Sequence, residues 1–304
     1  MNWTKKLKRR LLECETDEQL KKNFPSLALE SARRMQRKFR VVRKVGGRIH
    51  RAIILPDIHY PLHDEPSWNA VLQFIPWFQP DEVVLLGDAL EMQSIDHWKE
   101  EKGNRRAFNG KKLLTDYEGF IRDILEPLEQ LCPKAKKVYM GGNHEEWAYQ
   151  MVDRQPSLEG MIEPEIAMHL SDRGWQWIPH LITQSGRFLP GMYRIGKLQW
   201  THGQYTNLYH ANKMAQAYDR SIAYGHVHDI QMHTKVHTED PNDFHSAQSI
   251  GCLCNLSPAY LWGRPNKWIH SFGIQYTQPS GQYNLYVPVI INGTFVFAGE
   301  TFGN

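Results

Sequence analysis

Ala52-Ile53-Ile54-Leu55-Pro56-Asp57-Ile58-His59 sets four apolar residues directly ahead of a turn that carries an aspartate and a histidine. The arrangement returns along the chain. Val83-Val84-Leu85-Leu86 runs into Gly87-Asp88, and Val138-Tyr139-Met140 into Gly141-Gly142-Asn143-His144-Glu145. Leu198-Gln199-Trp200 leads to Thr201-His202-Gly203, and Ile222-Ala223-Tyr224 to Gly225-His226-Val227-His228. Apolar runs this short, closed by polar clusters with glycine, read as buried strands. Ligands of open α/β sheets bind beyond the carboxyl ends of the strands. The pattern therefore predicts that Asp57, His59, Asp88, Asn143, His202, His226 and His228 share one rim. One Asp-x-His or one histidine after a strand is more often structural; five such strand ends in succession point to a site.

Between these strands the period changes. Leu113, Leu114, Tyr117, Phe120, Ile121, Ile124 and Leu125 recur at three-to-four spacing and predict an amphipathic helix, ended or kinked by Pro127. Thr206 to Arg220 also reads as helix, with Ala211, Met214, Ala215 and Tyr218 on one face. Alternating strands and helices make the fold class α/β. Further on, Asn292-Gly293 between residues 283–291 and Thr294-Phe295-Val296-Phe297 is a strong hairpin signal, so the last strands are expected to be antiparallel and to lie in a second sheet.

The N-terminal region differs. Leu7, Leu11, Leu12 and Leu20 sit among charges, Phe24-Pro25-Ser26 breaks the run, and an Arg-rich stretch follows from Leu27 to about Phe39. Gly46-Gly47 then punctuates the chain. Residues 1–47 are expected to form a basic helical extension and residues 48–304 the main domain. The first 51 residues hold 16 Lys plus Arg against 5 Asp plus Glu, and the rest hold 20 against 28. A basic arm ahead of an acidic body suits a partner with phosphates, nucleic acid included; a solvated helical face is the alternative.

Composition excludes several classes. With 41% hydrophobic and 23% charged residues the chain is ordinary globular protein. No run approaches the roughly 18 apolar residues of a membrane span, and Met1-Asn2-Trp3-Thr4-Lys5-Lys6 has no apolar core behind it, so a soluble cytoplasmic protein is expected. Cys14 and Cys132 are isolated, and Cys252 and Cys254 lie in an apolar stretch as buried thiols, a weak zinc signal. Oligomeric state has no signature.

The ordered set of Asp57-Ile58-His59, Gly87-Asp88-Ala89-Leu90-Glu91, Gly142-Asn143-His144-Glu145, His202-Gly203 and Gly225-His226-Val227-His228 resembles the calcineurin-like metallophosphoesterases from about residue 50 to 230. The resemblance implies a four-layer α/β/β/α sandwich of two mixed sheets. It implies one metal held by Asp57, His59 and His228, a second by Asn143, His202 and His226, and Asp88 as the bridge. Two divalent cations about 3.5–4 Å apart clamp the attacking and departing oxygens of an in-line displacement. Imidazole and carboxylate donors suit Mn, Fe, Zn, Mg or Ni, with manganese expected from the family. The nucleophile would be a metal-bridging hydroxide. His144 resembles the histidine that stabilises the transition state or protonates the leaving group, and Glu91 would hydrogen-bond His144 and set its tautomer.

Neighbouring residues have two readings. His63, Asp64 and Asp96-His97 could overhang the metals or be loop surface; Tyr205 and Asn207 could line the pocket or not; Tyr260, Trp262, Trp268, Phe272 and Tyr276 fit core and sheet packing better than base stacking. The double-histidine ending and Asp57-Ile58-His59-Tyr60 are unlike Ser/Thr protein phosphatases and more similar to phosphodiesterases and repair nucleases. Asp57-Ile58-His59-Tyr60-Pro61, Gly251-Cys252-Leu253 and Trp268-Ile269-His270-Ser271-Phe272-Gly273 resemble phage and prophage phosphoesterases. In those an Arg commonly follows the Asn-His-Glu motif, where this chain has Glu146-Trp147. The expected activity is hydrolysis of phosphodiesters or phosphomonoesters of nucleic acids or nucleotides. A nucleic-acid-binding or virion-associated protein with a structural or vestigial dimetal site is the alternative. A lactamase-type His-x-His-x-Asp-His cluster is absent from the sequence.

Overall fold

A computed structural model describes residues 47–95, 110–240 and 243–303, together with residues 14, 16–25, 28, 29, 31 and 32. The chain divides into two compact units, Met1–Gly47 and Arg48–Asn304. In the first, helix α1 (Asp17–Asn23) begins at a capping box in which Thr16 and Gln19 each accept the other's backbone N–H, and Leu20 is fully buried. Leu7, Leu11, Leu12 and nearly all of the Arg-rich stretch lie outside the described residues.

The second unit is built on two mixed sheets. The first has six strands in the order β13-β12-β1-β2-β3-β4, with β1 (His50–Leu55), β2 (Glu82–Leu86), β3 (Lys136–Met140) and β4 (Trp175–Ile178) parallel. β12 (Gly273–Thr277) and β13 (Tyr283–Tyr286) extend it antiparallel. The second sheet runs β10-β11-β9-β8-β7, with β7 (Tyr193–Ile195), β8 (Leu198–Thr201), β9 (Ile222–Tyr224), β10 (Met232–Val236) and β11 (Phe244–Ser249). Its three central strands are parallel. β5 (Leu181–Gln184) with β6 (Arg187–Pro190), and β14 (Phe295–Phe297) with β15 (Glu300–Phe302), form separate ribbons.

Strand periodicity assigns the core. Ala52, Ile54, Val84, Leu86, Val138 and Met140 meet Leu198, Trp200, Ala223 and Ile250 of the second sheet in one buried cluster. Alternate residues Ile53, Leu55, Val83, Leu85 and Tyr139 pack on the other face, in the cluster that also holds the helices. Both faces are covered, so the strands read as unbroken apolar runs. Each fully buried aliphatic side chain here contributes roughly 1.5–3 kcal/mol.

The helices on that face are α2 (Glu65–Phe78), α3 (Gly110–Phe120), α4 (Glu126–Leu131), α5 (Asn143–Arg154) and the short α6 (Pro164–Ala167). α2 starts where the Asp64 side chain accepts the Ser67 N–H, and buries Trp68, Val71, Phe74, Ile75 and Phe78. α7 (His210–Ala217) lies on the second sheet, with Met214 and Ala215 against Ile222, Tyr224 and Ala247.

Three expectations change. Of the two outcomes expected at Pro127, the helix does not end: the turn Ile121–Leu125 widens to π geometry and α4 continues through it. Proline lacks the N–H that would reach the Asp123 carbonyl, and Trp68 Nε1–H donates to that carbonyl instead at 3.3 Å. The helix expected over 206–220 is confined to His210–Ala217, and Tyr218 is already extended. Asn292-Gly293 does form a two-residue turn, with reciprocal Ile291–Thr294 backbone bonds and positive φ at both centres, but its arms are not strands of one sheet. β13 joins the first sheet, not the second, and β14 pairs with β15. Phe295 and Phe302 are drawn into an aromatic cluster with Phe74, which outweighs continuing the hairpin.

Candidate metal centre

The five strand ends converge. Asp57 and His59 follow β1, Asp88 follows β2, Asn143 opens α5 after β3, His202 follows β8, and His226 and His228 follow β9. Asp57, His59, Asp88, His226 and His228 all adopt positive φ, between 45° and 69°. Asp and His tolerate this region better than most residues, yet so many together make a strained set of loops. A Cβ at Gly142 would collide with the Asp88 carboxylate, and one at Gly225 with that of Asp57, so glycine at both places lets backbone close on the site.

Asp57 and Asp88 anchor the loops as well as the centre. The His226 N–H donates to both Asp57 carboxylate oxygens at 3.0 and 2.9 Å, and the His144 N–H to Asp88 Oδ1 at 2.9 Å. Asp88 Oδ2 lies 3.2 Å from His202 Nε2, 3.8 Å from His59 Nε2 and 3.9 Å from His144 Nε2. Asp57 Oδ1 lies 3.2 Å from His228 Nε2, which is itself 3.2 Å from His59 Nε2. Asn143 Oδ1 stands 3.1 Å from His202 Nε2. Asp57, His59 and Asp88 form one group whose ligand atoms lie within 4.8 Å of one another; Asp88, His202 and His226 form another.

The outer nitrogens of the rings are fixed. His59 Nδ1–H donates to Glu91 Oε2 at 2.7 Å, and His202 Nδ1–H to the Leu86 carbonyl at 3.0 Å. Both histidines therefore aim Nε2 inward, the nitrogen that a metal would take once it is deprotonated. Two imidazole nitrogens 3.2 Å apart beside a carboxylate leave lone pairs facing each other, an arrangement a cation or a proton must relieve. The donor set of oxygen and imidazole nitrogen fits divalent first-row metals or magnesium.

Electrostatics agree. Burial opposes a charged His202, but the adjacent Asp88 carboxylate more than offsets it and lifts the pKa to about 10. His228 is likewise raised to about 9, against burial, chiefly by Asp57. Asp88 is held well below the carboxylate range despite burial, by His202, His144 and His59. His226 is pushed down to about 4 by burial and then by His202. Bound cations would take over the positive charge that protons carry on His202 and His228.

His144 projects from the first turn of α5. Its Nδ1–H donates to the Glu91 main-chain carbonyl at 2.8 Å, and the Trp147 ring stacks on it at 4.1 Å and 25°. Glu91 was expected to serve His144 through its carboxylate. That carboxylate goes to His59 instead and stays 3.8 Å from His144 Nδ1.

No family model matches the chain. The Gene 54 protein of Mycobacterium phage L5 is similar, at 27% identity over 263 residues, covering 82% of this chain and 97% of that protein. The Gene 54 protein of Mycobacterium phage D29 is 25% identical over 262 residues with the same coverage. Among solved structures the chain is similar to Vacuolar Protein Sorting 29 from Cryptosporidium parvum, with 13% identity, TM-score 0.40, and 85% of this chain and 100% of that one covered. A conserved uncharacterized protein of Streptococcus pneumoniae, titled a predicted phosphoesterase, has 10% identity and TM-score 0.33 over 85% of this chain and 99% of that one.

Other residues take different places from those considered. Asp64 caps α2, and His63 stacks on Tyr60 at 5.3 Å. Tyr205 packs under Lys213, and the Asn207 carbonyl accepts the His210 N–H that starts α7. Asp96 and His97 lie outside the described residues. Phe272 is core, whereas Trp262 is 87% exposed and Trp268 sits 4.2 Å from the His228 ring. Cys252 and Cys254 are buried free thiols, with Cys254 Sγ 3.7 Å from His228 Nδ1.

Sequence reasoning named Glu145 in a motif but gave it no role. Fully buried, it accepts N–H bonds from Asp88, Leu90 and Gly142 and the hydroxyl of Tyr139, tying the second and third motifs together. A carboxylate three residues beyond the glycine ahead of a helix was the available signal.

Proposed function

We propose that the chain is a calcineurin-like dimetal phosphoesterase of the phage type, acting on nucleic acid or nucleotide mono- or diesters. The observation that carries this reading is Asp88, whose carboxylate is shared by the group with Asp57 and His59 and the group with His202 and His226, so that it would bridge two cations. Asp57, His59 and His228 would hold one cation; Asn143, His202 and His226 the other. Two divalent cations held there, manganese first among them, would supply charge neutralisation for the phosphate and a lowered pKa for water near neutral pH.

The chain's own groups supply the rest. His59 and His202 are locked in tautomer by Glu91 and Leu86, so their Nε2 atoms are directed before any ligand arrives. His144, fixed at Nδ1, turns Nε2 to within 3.9 Å of Asp88 and is positioned to pass a proton to a leaving oxygen, a role worth about 10²–10⁴-fold. The helices and two sheets are then the layers of an α/β/β/α sandwich, and residues 1–47 a basic extension that reaches nucleic-acid phosphates. Among the described residues no helix is long and apolar enough to cross a membrane.

The test is hydrolysis of an aryl phosphodiester and an aryl phosphomonoester in Mn²⁺ by the wild-type protein, Asp88→Asn and His226→Ala. Both variants should lose activity; a variant that keeps it ends the assignment. Deleting residues 1–47 should weaken DNA or RNA binding without changing turnover of the aryl ester.

A further inference from the structure

The second sheet carries an uncovered stripe on one side. β10 and β11 pair Met232 with Gln248, Thr234 with Ser246 and Val236 with Phe244. Gln248 is in register with Ala223, a residue of the core between the sheets, so the stripe continues that inner face beyond the core. Met232, Val236 and Phe244 are 58%, 53% and 54% exposed. Facing Met232 and Phe244 is β13, the edge strand of the first sheet, across a cleft of about 960 Å³.

The cleft is distinct from the metal centre. It opens at the beginnings of β8, β9 and β11, whereas the metal-ligand candidates follow the ends of β8 and β9. Arg194, Lys197, Arg220 and Lys235 line it, against the acids Asp219 and Asp243, and Asp243 lies 3.9 Å from His237. Among the described residues, Lys197, Arg220 and Lys235 have no carboxylate partner. This local excess of cations stands in a stretch, residues 52–304, that carries 20 Lys plus Arg against 28 Asp plus Glu. Unpaired cations grouped on an acidic body repel one another unless an anion joins them.

We propose that the cleft binds single-stranded nucleic acid, with phosphates on Lys197, Arg220 and Lys235 and a base against Phe244. The inference rests on the nucleic-acid reading of the substrate given above. An exposed aromatic ring on a sheet face offers a stacking surface that only an unpaired base can use, and the cations track the backbone beside it. A strand held there would be anchored remote from the point of cleavage, raising the residence of long substrates over mononucleotides.

The experiment is fluorescence anisotropy of a labelled oligothymidylate 20-mer on the full chain. Asp88→Asn serves as the background that keeps the probe intact. Lys197→Glu/Arg220→Glu/Lys235→Glu should weaken binding more than tenfold at 0.1 M salt. Each lost phosphate contact removes about 0.7 from the slope of log K against log salt, so the slope should fall by about 2. The neutral triple glutamine variant should lie between, and Phe244→Ser should weaken the single strand more than a duplex of equal length. Aryl ester turnover, measured with Asp88 intact, should be unchanged in each variant, which also reports folding. Unchanged anisotropy in the charge-reversal variant overturns the proposal, as does displacement of the probe by polyglutamate as readily as by unlabelled oligonucleotide. If no ester is hydrolysed by any form but charge reversal still abolishes binding, the catalytic reading fails and the cleft stands.

Discussion

Glu91 Oε2 lies 2.7 Å from His59 Nδ1, so this carboxylate orients a metal-ligand candidate, not His144, the proposed proton donor. The bond holds Glu91 ionised: burial opposes the charge, but the contact with His59 brings its pKa below the usual value. Carboxylates behind ligand histidines typically contribute 10–100-fold in metal affinity. Glu91→Gln is expected to weaken Mn²⁺ binding by about that factor, read by calorimetric titration of metal-free protein. An unchanged affinity would remove Glu91 from the centre.

Glu145 gathers three backbone N–H groups and one hydroxyl at a fully buried point. Burial and the nearby Asp88 raise its pKa, and the donors from Leu90 and Gly142 work the other way. Glu145→Leu would leave those donors unpaired, at about 1–3 kcal/mol for each that finds no water. Urea unfolding should show a loss of roughly 3–5 kcal/mol. A loss below about 1 kcal/mol would mean the loops after β2 and β3 hold themselves.

Much of this was legible in the sequence because a sheet covered on both faces leaves unbroken apolar runs, and each run ended in Asp, Asn or His. Ile53 and Ile54 point to opposite faces and are both fully buried, which a half-solvated strand would not show. α2 was not foreseen: Pro66 and Pro76 interrupt its pattern, yet Pro66 sits in its first turn and the aromatic face of Trp68, Phe74 and Phe78 overrides Pro76. The Asn292-Gly293 turn was readable, but its continuation depended on Phe74, far away in sequence. The partner of Glu91 was equally hidden, since a side chain one methylene longer than Asp reaches a different ring.

The Glu146 carboxyl has its pKa raised to about 7 by burial and then by the Asp153 charge. A carboxyl raised above its unfolded value of 4.5 destabilises the fold once ionised. Its favourable contribution is complete below pH 4.5 and is lost as pH rises through about 7. Allowing for solvent around the half-buried group, the penalty at pH 8 is about 1–2 kcal/mol. Glu146→Gln should therefore melt a few degrees above wild type at pH 8, with a smaller gap at pH 5. A gap that does not change with pH would assign the effect to packing.

Trp147 stacks on His144 at 4.1 Å while the Glu91 carbonyl holds the far side of the ring, so indole and carbonyl together fix where Nε2 points. Proton donation matters most when the leaving oxygen is a poor one. Trp147→Ala should therefore slow hydrolysis of an alkyl phosphodiester by about 10-fold or more, within the range a placed general acid contributes. A nitrophenyl ester, whose phenolate departs without a proton, should be cleaved nearly as before, and KM should move little for either. Trp147→Phe keeps a ring against the imidazole and should restore most of the alkyl rate. Equal losses on both esters would show that Trp147 supports the fold of α5 and not the placement of His144.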